Sequence, residues 1–110
     1  MATRIVRDNR AAVLASVERQ AAQIVAKAAL DIEAGAKAAA PVDTGFLRAT
    51  IAAQKLGPLR WRVVALANYA KFVELGARGR AARPFLYPAF ARVVPVMLAA
   101  FARIGFRRRR

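Results

Sequence analysis

The chain has 110 residues, 20 Lys+Arg against 6 Asp+Glu, a formal net charge of +14, and neither histidine nor cysteine. Those absences exclude disulfides, thiolate and imidazole metal sites, and catalysis of the Ser-His-Asp or Cys-His kind. Apolar residues make up 58%, but 28 of them are alanine, so the bulk suffices for one small folded domain and not for two. We expect a single α+β domain over residues 1–106 and a basic tail of Arg107, Arg108, Arg109 and Arg110.

The opening MATRIVRDNR is basic, with Arg4, Arg7 and Arg10 and no apolar run, and does not read as a secretory signal. Residues 5–40 predict one long helix: no proline interrupts them and strong helix formers dominate, with Gly35 the exception. Leu14, Val17, Ala21, Ile24 and Ala28 recur at helical spacing and form one apolar stripe. Unbroken, such a helix is about 54 Å long at 1.5 Å per residue, too long for a domain of this size to cover. A break at Asp8-Asn9, with either residue capping a later start, is the alternative.

Pro41 ends the helix because it lacks an N–H and forces Ala40 out of the α region. Pro41-Val42-Asp43-Thr44-Gly45 is a turn, with Asp43 or Thr44 placed to cap one helical turn at Phe46-Leu47-Arg48. Thr50–Leu56 is a weak strand, Gly57-Pro58 a turn, and Leu59–Leu66 a strong strand, so 50–66 predicts an antiparallel hairpin. Leu59, Trp61, Val63 and Ala65 share one face of it, opposite Arg60 and Arg62, which favours core packing for Trp61 over base stacking.

Asn68 is placed to cap a short helix from Tyr69 to Leu75, stopped by Gly76. The loop from Gly76 to Arg83 carries three arginines and no acid. A last helix follows, with Pro88 in its first turn and Pro95 at a kink or break. Its Phe90, Val94, Met97, Phe101 and Ile104 share a face expected to cover the hairpin. The longest uncharged stretch, Val93–Ala102, falls short of the roughly 18 residues a membrane span needs.

Catalytic groups are sparse. Asp43-Thr44-Gly45 has the wording of an aspartic-protease triplet, but a helical pattern and a proline precede it instead of an apolar strand, and the turn reading fits better. Asp8, Glu18, Asp31, Glu33 and Glu74 form no metal-ligand spacing. The Gly76–Arg80 run lacks the full phosphate-loop pattern. We therefore expect no enzyme, no metal and no cofactor.

Charge is concentrated late: residues 58–110 hold 12 basic side chains and one acid. A half-molecule so basic repels itself unless it meets a polyanion or an acidic protein. Arg78, Arg80, Arg83 and the arginines at 107–110 are the candidate contacts, with phosphate or with carboxylates.

Two blocks carry a resemblance. Ala40–Ile51 (APVDTGFLRATI) is the first; Tyr69–Gly76 (YAKFVELG) with Ala82–Phe90 (ARPFLYPAF) is the second. With the long leading helix they resemble the small neck or tail-completion proteins of long-tailed bacteriophages, over about residues 20–100. Ala77 departs from the threonine that often follows the family's glycine. The residues matching the family's wording are Pro41, Asp43, Thr44, Gly45, Leu47, Tyr69, Val73, Glu74, Gly76, Arg83, Pro84 and Phe85.

The resemblance implies a non-enzymatic virion protein made in the host cytoplasm. It implies a homo-oligomeric ring, sixfold, at the head–tail junction, joined to adjoining connector and tail proteins, with viral DNA passing through its lumen and no membrane involved. The alternative is a sequence-nonspecific basic DNA-binding protein acting outside the virion, which predicts salt-sensitive duplex binding by the isolated chain.

Overall fold

The structure is a computed structural model that describes residues 2–41, 45–76, 79 and 81–106, with side chains from 10 to 104. Helix α1 (Ala2–Ala39) is continuous, so the backbone passes through Asp8-Asn9 without the expected alternative break. Lys27–Asp31 at 2.7 Å and Lys37–Glu33 at 3.4 Å brace its surface in i,i+4 pairs, each worth only tenths of a kcal/mol. Ala40 still donates its N–H to the Ala36 carbonyl before Pro41 stops the helix.

One turn of helix, α2 (Phe46–Ala49), follows. Its N-cap is Gly45 at φ 73°, a left-handed conformation that a side chain would strain. No side chain among the described residues caps it, and the expected cappers Asp43 and Thr44 lie outside them. Strands β1 (Ile51–Gly57) and β2 (Arg60–Ala65) pair antiparallel from Ile51↔Ala65 to Lys55↔Trp61, and the register shifts by one residue before the turn. Thr50 ties α2 to the end of the hairpin: its Oγ1 donates to the Leu47 carbonyl at 2.8 Å and accepts the Ala67 N–H at 3.2 Å.

Helix α3 (Ala70–Leu75) has Tyr69 at its N-cap without a side-chain bond, so Asn68 does not cap it as its position suggested. A short cap bond needs the side chain over the first turn, and the chain there turns through Ala67–Tyr69 by backbone bonds instead. Helix α4 (Leu86–Phe106) runs unbroken through Pro95, which forfeits one backbone bond to the Ala91 carbonyl without ending it.

The core is small. Ile32, Ala36, Ala40, Leu47, Ile51, Ala67, Ala70, Phe85 and Ala89 form it, and among the described residues only Phe85 and Ile51 are large side chains fully withdrawn from solvent. Around this knot α4 doubles back along α1. The two helices approach closely at Gly35, where an added Cβ would stand 3.2 Å from the Ala89 Cβ. That contact accounts for a glycine inside an otherwise strong helix.

One expectation is overturned here. The apolar face of α4 packs on α1 and stands off from the hairpin instead of covering it. Two helices of this length bury more by lying side by side than a long helix can bury on a two-stranded ribbon. The molecule is therefore elongated, 72 × 24 × 19 Å with a radius of gyration of 19.3 Å, against roughly 13 Å for a compact chain of this length.

Candidate functional site

The family-wording residues come together, but as scaffold. Leu47 and Phe85 are in the core, and Tyr69 and Val73 pack against it. Tyr69 also stacks on Phe46, ring centroids 6.3 Å apart. Pro41 is half-buried at the end of α1. Gly76 closes α3 at φ 88°, where glycine is favoured.

Glu74 has the most specific role. It reaches from α3 to the start of α4, accepting N–H bonds from Phe85 (3.1 Å) and Leu86 (2.9 Å) on Oε1 and from Tyr87 (3.0 Å) on Oε2. A carboxylate on the unsatisfied N–H groups of a helix start is favoured by hydrogen bonding and by the helix dipole. Burial pushes the Glu74 carboxyl up, but the N–H donors of Leu86, Tyr87 and Phe85 together outweigh it and hold its pKa below the ordinary value. A second tie runs beside it, from the Arg83 N–H to the Val73 carbonyl at 2.8 Å. Sequence reasoning grouped Glu74 with Phe85 by wording and missed the bond, because a cap whose acceptor lies 11–13 residues from its donors leaves no local spacing signal.

Of the candidate arginines, Arg83 is exposed and anchored through its backbone, followed by an exposed Pro84. Arg78, Arg80, Arg107, Arg108, Arg109 and Arg110 lie outside the described residues. No group of three or more acidic side chains suited to a metal occurs among the described residues.

One concave feature was not anticipated. Because α4 stands off from β2, an open apolar groove of about 810 Å³ lies between them, floored by α1. Ala21, Val25, Ala28, Ala29 and Ile32 make the floor, Leu59, Trp61 and Val63 one wall, and Phe90, Val93, Val94, Met97 and Phe101 the other. Trp61 is thus a groove wall and not the core residue that strand alternation implied. Its indole Nε1 is shielded from solvent with no acceptor among the described residues. Arg60 and Arg62 stand exposed at the rim.

Helix α4 is uncovered elsewhere too. Over Leu86–Ile104 only 6% is buried, and the segment is long and apolar enough, by length and composition, to cross a membrane. Arg92 and Arg103 interrupt it.

Comparison with known families bears on what such a surface is for. Residues 7–76, more than half of the chain, match the model of the HK97-gp10-like family, described as "Bacteriophage HK97-gp10, putative tail-component". The chain belongs to this family. No curated protein and no solved structure gives a significant match. The matched span covers α1, the hairpin and α3 through Gly76, so it holds the first block of family wording and half of the second. Membership supports a structural role in a phage particle, among other phage structural proteins, and agrees with the neck and tail-completion resemblance of the two blocks.

Proposed function

We propose that this HK97-gp10-like protein is a neck or tail-completion subunit, assembling as a sixfold ring between the head connector and the tail and surrounding the DNA path. The family match carries the reading. The fold supports it: the core is mostly alanine, while Leu59, Phe90, Val96 and Leu98 remain exposed, as suits a subunit that completes its burial against neighbours. Protein neighbours account for the exposed α4 better than a lipid bilayer does, since α4 lies lengthwise on α1 and carries two arginines. The role is structural and non-enzymatic.

Six copies at +14 each require acidic or polyanionic neighbours. DNA must slide during ejection, and many fixed Arg–phosphate bonds in a lumen would hold it back. The proposed partner of Arg78, Arg80, Arg83 and Arg107–Arg110 is therefore an acidic surface of an adjoining ring, or only the parked end of the DNA.

The test is the copy number of this chain in purified particles, by quantitative mass spectrometry. Six or twelve copies are expected. Hundreds would indicate a tube or coat protein and overturn the ring, and absence from DNA-filled particles would favour the DNA-binding alternative. Reversing the charge of Arg78, Arg80 and Arg83 together should block head–tail joining by a folded subunit, and normal joining would refute their role.

A further inference from the structure

We propose that the groove of one copy takes the projecting N-terminal half of α1 from a second copy, head to tail. The inference rests on the ring reading and adds the contact that would build it. It starts from a mismatch of lengths. Helix α1 has 38 residues and α4 has 21, so about half of α1 runs past the helix that covers it.

The apolar stripe does not stop where the cover stops. Leu14, Val17, Ala21, Val25, Ala28 and Ile32 succeed one another at spacings of three and four, on one side of the helix. Ala28 and Ile32 are buried in the chain's own body, whereas Leu14, on the same side, is 57% exposed. An isolated helix end with an uncovered apolar face calls for a partner surface.

The groove is such a surface. Its mostly apolar walls offer solvent few polar partners. Phe90, a wall residue of the groove, is 51% exposed.

Charge sets the fit. Glu18 is exposed one turn from Leu14, on the edge of the stripe, and makes no ion pair among the described residues. Arg60 and Arg62 stand at the groove rim. Seating the stripe in the groove brings that carboxylate to those guanidiniums, while Arg19 falls on the outer face of the helix.

The chain cannot make this contact with itself. Gly35 abuts Ala89, beside Phe90, and Leu14 lies 21 residues earlier in the same helix, about 31 Å away. A head-to-tail contact between different patches is also the kind that propagates and closes into rings.

The experiment measures mass by sedimentation equilibrium on the full chain, with circular dichroism as the folding control. The wild type should associate. Leu14→Asp and Phe90→Asp, both at sites exposed in the monomer, should each weaken association by about tenfold or more with helicity unchanged. Glu18→Arg should weaken it too, and adding Arg60→Glu should restore it, a rescue that misfolding cannot mimic.

Since the chain has no cysteine, a Leu14→Cys copy mixed with a Phe90→Cys copy should also yield a mixed disulfide dimer in preference to either self-pair. Association of Leu14→Asp and Phe90→Asp at wild-type strength would overturn the contact, as would a wild type that stays monomeric at every concentration. The ring reading is judged separately by copy number in particles, so either idea can fail without the other.

Discussion

Removing the Glu74 carboxylate tests how the two sequence blocks are joined. Glu74→Ala leaves the N–H groups of Phe85, Leu86 and Tyr87 without the bonds of 2.9–3.1 Å they now make. Losing a cap costs about 0.5–2 kcal/mol, and losing a negative charge at a helix start adds about 0.3–1. Part of the carboxylate is open to water, which takes over some of the freed N–H groups. About 2 kcal/mol is the expected loss, or about 8 °C in Tm for a domain of this size.

Glu74→Gln keeps one acceptor oxygen and should lose about half as much. The pH dependence follows from the lowered pKa: the carboxylate's contribution is complete above its ordinary value of 4.5 and fades as pH falls through the lower folded value. Thermal melts of wild type and Glu74→Gln, at one fixed protein concentration, should therefore differ by a constant amount near neutrality and converge in acid. A wild-type Tm for Glu74→Ala, or a gap between wild type and Glu74→Gln that persists unchanged at about pH 2, would refute the capping role.

Phe85→Ala, at a side chain 1% exposed, should cost about 3–5 kcal/mol and leave the isolated chain largely unfolded by circular dichroism; a cooperative melt near that of the wild type would contradict its place in the core. Gly35→Leu should wedge α1 from α4 and cost about 1–3 kcal/mol in denaturant titration, because even a Cβ there meets Ala89 at 3.2 Å. A stabilised Gly35→Leu would mean the close approach is absent. Thr50→Val should lose about 1–2 kcal/mol and Thr50→Ser much less, since only the serine keeps the hydroxyl between Leu47 and Ala67. A larger loss for Thr50→Ser than for Thr50→Val would assign the effect to the methyl group instead.

The sequence was most legible where signals are local. Strong helix formers up to Pro41 specify α1, Gly57-Pro58 and the alternation around Trp61 specify the hairpin, and Gly76 stops α3. The expected helix at 5–40 and strands at 50–56 and 59–66 differ from the observed elements by one to three residues at their ends. Contacts between distant segments were not legible. The apolar face of α4 marked it as covered, but nothing local distinguishes α1 from the hairpin as the cover, and the groove exists only because α1 won. Tyr69 and Glu74 shared the wording of a site, yet one packs against the core and the other caps a helix. The arginines read as contacts at 78, 80 and 107–110 rest on charge alone, because they lie outside the described residues.

The two ties beside α3 have an evolutionary consequence. Val73 and Glu74 clamp the chain on one side of the 77–82 segment, and Arg83 and the first residues of α4 receive it on the other. Both ties are made by residues outside that stretch. Lengthening a closed segment is cheap, about 0.6 kcal/mol per doubling, and changing its charge disturbs no core residue. Length and charge in that stretch can therefore vary, like an exchangeable cassette, while the helices and hairpin stay as they are.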